Sequence, residues 1–169
     1  AGLIFGGLNT YPGTNQLANT ESWNGSAWTE VSDLNTARIG FAGSGSSTAA
    51  LASTGAAPPS SNITNVESWD GSSWTETTDV NTARRFVGGS GTSTSTLIFG
   101  GAHPNKANTE SWNGSSWTEL ADLAQARYGV GAGGTDSLSA IGFGGNAPPN
   151  VTSTEEWTVA HTLKKVTTS

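Results

Sequence analysis

The apolar residues of this 169-residue chain lie in short runs that end at glycines, and segments rich in Gly, Ser, Thr and Asn separate these runs. Examples are "AGLIFGG" at the start, "STLIFGG" at 95–101 and "IGFGG" at 141–145. The apolar positions show no 3.6-residue recurrence, and the residues around them are poor helix formers. Short apolar runs that end at a glycine pair predict β-strands bounded by tight turns.

A tryptophan-containing segment recurs as "TESWNGSAWTE" at 20–30, "VESWDGSSWTE" at 66–76 and "TESWNGSSWTE" at 109–119. The central Asn-Gly or Asp-Gly supplies the positive φ angles of a tight hairpin, with a loop of two or four residues. Either loop length places the two tryptophans of a segment on the same face of a sheet, so we expect them to pack together. Regular burial of indole rings argues against the disorder that the Gly and Ser content would otherwise suggest.

The Glu-Ser-Trp motif and its last variant, Glu-Glu-Trp, place four glutamates in equivalent positions, with spacings of 46, 43 and 45 residues: Glu21, Glu67, Glu110 and Glu155. A period in the forties is typical of propellers and of helical repeats, and the composition favours strands. One unit reads as four antiparallel strands, for example from "RRFVGGSG" through "STLIFGG" and "ANTESW" to "SSWTE". The chain therefore predicts an all-β repeat fold.

An apolar run that ends in Gly-Gly, followed by a strand and a tryptophan, resembles the kelch repeat. The second unit departs from the pattern, with "LASTG" at 51–55. The resemblance implies a kelch-like β-propeller of about four blades of four antiparallel strands, at approximately 1–31, 36–77, 82–120 and 125–169. This would be a single domain or the C-terminal part of one. The first blade would lack its inner strand, which we expect from residues upstream of Ala1 or from a neighbouring chain.

The units "NGSxWTE…NTAR" and the ending "TEEWTV…KKVTTS" are also similar to kelch-like proteins encoded among bacteriophage structural genes. This resemblance implies a virion or extracellular location and other virion or fibre subunits as partners in an oligomer.

Charge and composition exclude several classes of function. The formal net charge is −6 with only seven Lys and Arg, which does not suit a nucleic-acid partner. There is no Cys, and no apolar run approaches the roughly 20 residues that span a bilayer. His103 and His161 lack partners at metal-ligand spacing, and no nucleophile motif is present. We expect no cofactor, no metal, no membrane insertion and no catalytic activity.

Three arginines also repeat, each five residues after an aspartate: Arg38, Arg84 and Arg127 after Asp33, Asp79 and Asp122. Charge-assisted hydrogen bonds between each Arg and its Asp would tie consecutive blades together. The alternative is an anion site at the propeller axis, formed by the three arginines.

The loops between the second and third strands differ among the units, whereas the Trp hairpins do not, and binding usually resides in variable loops on a rigid scaffold. Polar amides with an occasional aromatic suit neutral sugars; solvated connectors are the alternative. The candidate ligand-binding residues in these loops are Tyr11, Asn15, Gln16, Asn62, His103, Asn105, Lys106 and Asn150. We expect a non-catalytic adhesion module of a phage appendage or extracellular fibre that binds a cell-surface glycan or receptor. The alternative is an assembly or decoration subunit, completed by a strand from a neighbouring chain and without a ligand of its own.

Overall fold

A computed structural model of the chain describes residues 1–9 and 15–158, together with the backbone of 163–166. All regular secondary structure in these residues is β, as the sequence predicts. Four larger antiparallel sheets follow one another along the chain, and a small two-stranded sheet lies within the second unit. Across the described ranges, no helix is long and apolar enough to cross a membrane.

The first two sheets contain the strands of residues 2–77. Sheet 1 has three strands, in the order β1 (Gly2–Asn9), β2 (Asn15–Trp23) and β3 (Trp28–Val31). Sheet 2 has four, in the order β4 (Ala42–Ser46), β5 (Ala49–Ser53), β8 (Val66–Trp69) and β9 (Trp74–Thr77). The small sheet pairs β6 (Ala56–Ala57) with β7 (Ser61–Asn62) in the loop between β5 and β8.

Sheets 3 and 4 repeat the four-stranded order. Sheet 3 contains β10 (Gly88–Thr92), β11 (Ser95–Phe99), β12 (Thr109–Trp112) and β13 (Trp117–Leu120). Sheet 4 contains β14 (Gly131–Asp136), β15 (Ser139–Phe143), β16 (Thr154–Trp157) and β17 (Leu163–Val166). Sheet 1 has three strands and each of the other larger sheets has four, which are the strand counts that the sequence predicts.

Each Trp hairpin has a four-residue loop whose first side chain stabilises the turn. In the first hairpin, the Asn24 carboxamide oxygen accepts hydrogen bonds from the backbone N–H groups of Ser26 and Ala27, at 2.8 and 3.0 Å. Asp70 and Asn113 make the same contacts in the next two hairpins. The paired indoles lie directly opposite each other with ring centroids 5.3–5.4 Å apart, as predicted.

Consecutive sheets pack face to face, and the tryptophans of sheets 2, 3 and 4 point toward the preceding sheet. Leu3 and Phe5 of sheet 1 pack against the core around Trp69 and Trp74 of sheet 2. Leu51 of sheet 2 packs in the same cluster as Ile98, Trp112 and Trp117 of sheet 3. Leu97 and Phe99 of sheet 3 pack with Trp157 of sheet 4, and the Phe99 and Trp157 rings stack at 4.7 Å.

A buried ion pair fastens each of these three interfaces. The arginine in the connection that leaves one sheet binds the Glu-Ser-Trp glutamate, or its equivalent, of the next sheet. The pairs are Arg38–Glu67 (2.5 Å), Arg84–Glu110 and Arg127–Glu155 (2.6 Å). All six side chains are buried. Burial lowers the pKa of the Arg38 guanidinium, and the Glu67 carboxylate offsets part of that shift.

The predicted Arg–Asp pairing is therefore wrong. Asp33 instead accepts a hydrogen bond from the backbone N–H of Thr20, and Asp79 accepts one from the Thr64 hydroxyl. The alternative of a shared anion site is also wrong, because each guanidinium is buried and bound to its own glutamate.

The departure of the second unit from the glycine-pair pattern leaves the backbone unchanged. Thr54 has φ 61°, close to the 69° of Gly100 at the equivalent position. Its hydroxyl donates to the carbonyl of Ile63 or of Arg84, both within hydrogen-bond distance. These contacts offset the strain of a β-branched residue in the left-handed region.

Candidate functional site

One end of the stacked sheets is built from two kinds of segment that meet there. The connection that leaves each of sheets 1 to 3 forms an isolated antiparallel β-bridge with the loop between the second and third strands of the next sheet. These bridges pair Ile39 with Ala56, Arg85 with Ala102 and Tyr128 with Asn146. The connections between sheets and the variable loops therefore emerge on the same side of the stack. We call this surface the loop face.

Phe86 is the residue at which the loop face departs from the repeat. It has φ 56°, in the left-handed region that bulky residues rarely adopt. The equivalent residues of the neighbouring units are Gly40, φ 62°, and Gly129, φ 60°. The other units thus have a glycine where the third unit has a phenylalanine that is 37% exposed. A strained, exposed aromatic residue at one copy of a repeated position suggests a function.

Aromatic and basic side chains surround Phe86. The ring centroid of His103 lies 6.3 Å away and that of Tyr128 lies 6.2 Å away, on either side. The guanidinium carbon of Arg85 lies 5.6 Å from the Phe86 ring centroid, within the range of a cation–π contact. Arg85 also donates to the Ser60 carbonyl at 2.8 Å. These four side chains, Arg85, Phe86, His103 and Tyr128, are called the Phe86 cluster below.

Unused hydrogen-bonding capacity lies beside the Phe86 cluster. The Asn62 carboxamide donates to the carbonyls of Ala102 and His103, at 3.3 and 3.2 Å, which fixes the side chain against the neighbouring loop. Its carboxamide oxygen and the Nε of Arg85 are shielded from solvent and have no partner among the described residues. Because both atoms are shielded from solvent, a ligand does not reach them in this arrangement.

The structure brings some predicted site residues together. Asn62 and His103, from different loops, lie in contact beside Phe86. Asn15 and Gln16 line a small cavity of about 110 Å³ with the Pro58–Ser60 segment of the next loop. The Gln16 carboxamide oxygen is buried there without a described partner.

The other predicted residues lie apart from this cluster. Asn105 is exposed, and Lys106 contributes its backbone, which donates to Gly101 and accepts from Arg127. Asn150 accepts from Asn146 at 2.8 Å and lines a separate cavity of about 340 Å³ near Glu155. Tyr11 and His161 lie outside the described residues. None of the described His, Asp and Glu residues forms a group of three or more that could hold a metal ion.

Comparisons with known proteins identify a fold and no family. No protein-family model matches the chain, and curated protein sequences give no match either. Among solved structures, the chain is similar to that of YjhT, with a TM-score of 0.74 and 14% sequence identity. The match covers 90% of this chain and 53% of that one, so the chain spans about half the length of YjhT. At this identity the likeness concerns the fold alone.

Sequence reasoning missed Phe86, Arg85 and Tyr128, which lie in segments interpreted as scaffold. A usable signal was nevertheless present. Aligned on the repeated arginine, "ARRFVGG" replaces the glycine of "ARIGFAG" and "ARYGVGA" by phenylalanine. Asymmetry among the copies marks this position before any coordinates are known.

Proposed function

We propose that the chain is a kelch-like β-propeller, or part of one, whose four sheets are its blades. The proposal is supported by four consecutive antiparallel sheets that pack face to face. At each interface, tryptophans of one sheet pack against apolar residues of the preceding sheet. Glycine pairs follow the second strand of sheets 3 and 4, the pair Gly6–Gly7 lies at an irregularity within β1, and Thr54 replaces the first glycine in sheet 2. The three-stranded sheet 1 would be the blade without its inner strand.

We further propose that the loop face binds a neutral cell-surface glycan, and that Phe86 is the central contact. The single observation that carries this proposal is a left-handed, exposed phenylalanine where the neighbouring units have glycine. Sugars present C–H faces that stack on aromatic rings and hydroxyls that pair with amides and guanidinium groups. The Phe86 cluster offers ring faces, and it also carries the imidazole of the exposed His103 and the hydroxyl of the half-buried Tyr128, which are groups that can pair with sugar hydroxyls.

A non-catalytic role fits this chemistry. The acidic residues repeat with the scaffold, and the three buried carboxylates are neutralised by arginines. A reaction centre needs an asymmetric cluster of titratable groups, and the asymmetry of this protein lies in aromatic and amide side chains. The proposed context is a phage virion appendage or an extracellular fibre, with other subunits of that particle as partners.

The test is binding to an array of neutral and sialylated oligosaccharides and bacterial lipopolysaccharides, for the wild-type chain and Phe86→Gly. We expect Phe86→Gly to keep the fold, because glycine has the same φ in the neighbouring units, and to lose glycan binding. Leu138→Ser is the matched control, since Leu138 is also 37% exposed and lies away from the loop face. Unchanged glycan binding by Phe86→Gly, or no binding by the wild type, would contradict the proposal.

A second candidate function is an assembly or decoration subunit completed by a strand from a neighbouring chain. The observation that favours it is β1, which forms an edge of sheet 1. A cavity of about 400 Å³ lies beside this edge, lined by Ala1–Leu3, Phe5 and Gly43–Ser47. Open strand edges accept added strands through main-chain hydrogen bonds. Hydrogen exchange that protects the β1 amides only in the assembled particle would support this function.

A further inference from the structure

Positive φ angles at non-glycine residues are concentrated at the junction between sheets 2 and 3. In the part of the chain that the structure describes, four such residues have φ between 56° and 123°: Thr54, Ser60, Phe86 and His103. All four lie in or against the Arg84–Phe86 segment, which we call the junction segment. Thr54 and Ser60 accept hydrogen bonds from it, and the His103 ring lies beside Phe86. Strained residues persist where the surrounding structure holds them, so this junction is more constrained than the others.

The Thr54 hydroxyl takes the place of a direct backbone hydrogen bond of the neighbouring units. In those units the arginine N–H donates to the carbonyl four residues before the glutamate of the preceding sheet: Arg38 to Leu17 at 3.1 Å, and Arg127 to Lys106 at 3.0 Å. The equivalent carbonyl for Arg84 is that of Ile63, but the Arg84 N–H donates to the Thr54 hydroxyl, at 3.3 Å. The hydroxyl in turn lies 2.9 Å from the Ile63 carbonyl oxygen. The junction segment is therefore attached to its loop through a side chain.

Gly40 leaves the space that the Phe86 ring occupies. A Cβ atom at Gly40 would lie 2.9 Å from Cδ1 and 3.1 Å from Cε1 of that ring, so a side chain there would displace it. The Phe86 N–H also donates to the Gly40 carbonyl, which fixes the backbone of Phe86 against the neighbouring connection. Gly129 has almost the same φ, 60° against 62°, but apart from its chain neighbours no described atom lies within 4 Å of the place of its Cβ. The Phe86 ring thus distinguishes Gly40 from a glycine of the same conformation.

We propose that Thr54 and Gly40 are positioning residues, which hold the Phe86 ring in place before a sugar binds. Thr54 fixes the backbone of the junction segment, and Gly40 gives the ring its space. The inference rests on the proposed glycan site and deepens it, because Thr54 is completely buried and acts on a ligand only through Phe86. A ring that is already held loses little conformational freedom on binding, which raises the affinity.

The first variant removes the hydroxyl and restores the residue of the other units. Thr54→Gly gives position 54 the residue of its equivalents Gly100 and Gly144, which have φ 69° and 65°. We expect this variant to keep the fold and to form the direct hydrogen bond from Arg84 to Ile63, which moves the junction segment. Thr54→Ser is the matched control, because it keeps the hydroxyl.

The second variant fills the space beneath the ring. Gly40→Ala places a methyl group where the Phe86 ring lies, so the ring must turn away. Gly129→Ala is the matched control, since it introduces the same left-handed strain without a ring above it. Circular dichroism of the full chain will confirm that both variants fold.

The first measurement uses the free protein and needs no ligand. Nuclear Overhauser effects between the Phe86 ring protons and the α-protons of residue 40 report directly on the position of the ring. We expect these effects in the wild type, in Thr54→Ser and in Gly129→Ala, and we expect them to be weakened or lost in Thr54→Gly and Gly40→Ala. Unchanged effects in Thr54→Gly would overturn the role of Thr54, and unchanged effects in Gly40→Ala would overturn that of Gly40.

The second measurement is isothermal titration calorimetry with the oligosaccharide that gives the strongest signal on the array. Thr54→Gly and Gly40→Ala should each raise the dissociation constant about tenfold, because the ring must then be ordered on binding. Thr54→Ser and Gly129→Ala should bind like the wild type. Equal affinities of the wild type, Thr54→Gly and Gly40→Ala would overturn the inference.

The two measurements distinguish this inference from the glycan proposal. A wild-type chain that binds no oligosaccharide would refute the glycan site and, with it, a binding role for the two residues. Ring contacts that both variants leave unchanged would refute the positioning even where the wild type binds an oligosaccharide.

Discussion

Replacing Glu110 by Gln removes the negative charge that neutralises the buried Arg84 guanidinium. The Glu110 carboxylate also accepts from the backbone and the side chain of Asn81, at 2.7 and 2.9 Å, and from the backbone of Thr82 at 3.3 Å. A glutamine keeps one acceptor oxygen and turns an amide group toward the remaining donors. Removing one partner of a buried ion pair destabilises by about 3–5 kcal/mol, and we expect a loss in this range.

The assay is equilibrium unfolding in urea, followed by tryptophan fluorescence, with the midpoint and slope fitted for each variant. Glu21→Gln is the matched control, because Glu21 has the same repeat position and forms no ion pair with the residues that the structure describes. We expect Glu21→Gln to cost less than about 1 kcal/mol. Asp79 is the residue that the sequence wrongly suggested as the partner of Arg84. Asp79→Asn should therefore also lower the free energy of unfolding by less than about 1 kcal/mol.

A double-mutant cycle with Arg84→Met separates the pair from its surroundings. Each single change leaves a buried group without its partner, so the double variant should be less destabilised than the sum of the single variants by about 0.5–3 kcal/mol. Equal effects of Glu110→Gln and Glu21→Gln, or strict additivity in the cycle, would refute the view that this ion pair fastens sheets 2 and 3.

Three other predictions concern the scaffold. Hydrogen bonds from the Ser72 hydroxyl and from the backbone N–H groups of Ser73 and Ser72 lower the pKa of Asp70 from 3.8 to about 2. The ionised Asp70 carboxylate therefore stabilises the fold above pH 3.8, and this stabilisation is lost as the pH falls through about 2. Asp70→Asn, which copies Asn24 and Asn113, should remove this acid-sensitive step from a stability profile between pH 5 and 1.5, and an unchanged profile would count against it. Thr54→Val keeps the shape of the side chain but removes a buried hydroxyl that donates to the carbonyl of Ile63 or Arg84 and accepts from the Arg84 backbone N–H at 3.3 Å. Chemical denaturation should therefore show a loss of about 1–3 kcal/mol, and no loss would show that the hydroxyl contributes nothing. Trp74→Ala should destabilise by about 3–5 kcal/mol, because Trp74 is buried and donates to the Thr20 hydroxyl at 3.0 Å. Trp28→Ala should cost much less, because Trp28 is 45% exposed, and similar thermal melts of the two variants would contradict this difference.

The sequence was most informative where one physical requirement repeats. The Asn-Gly and Asp-Gly turns, the Trp pairs and the glycine stops predicted the strand order, the shared face of the paired tryptophans and the three-stranded first unit, because these features follow from turn chemistry and the two-residue period of a strand. The arginine partner could not be predicted in this way. Arg84 is close in sequence to Asp79, but the connection directs it into the interface, where Glu110 of the next sheet lies. A contact between two sheets depends on how the sheets stack, and the residue order within one unit does not predict that stacking.

The candidate site was predictable only in part, for a related reason. Comparing loop lengths and compositions identified Asn62 and His103, whose loops meet beside Phe86. Phe86 itself lies in a segment that the repeat pattern assigns to the scaffold. Its exposure results from a left-handed backbone that the neighbouring units reach with glycine, and a strand prediction does not indicate that the side chain points outward.

The variable loops are attached to the scaffold through their backbones, which explains how they can differ while the sheets stay alike. The backbone N–H groups of Val80 and Leu123 donate to the carbonyls of Thr64 and Ala107 in two loops of different sequence, and that of Leu34 donates to Ala18 at the equivalent point of β2. In the third unit, the Lys106 N–H also donates to Gly101, and its carbonyl accepts from Arg127. Main-chain hydrogen bonds place almost no demand on side-chain identity, so the residues between these anchors can change without disturbing the ion pairs and indoles beneath them. Under the proposed binding role, loop residues could therefore change the ligand preference while the sheets keep each loop in the same place.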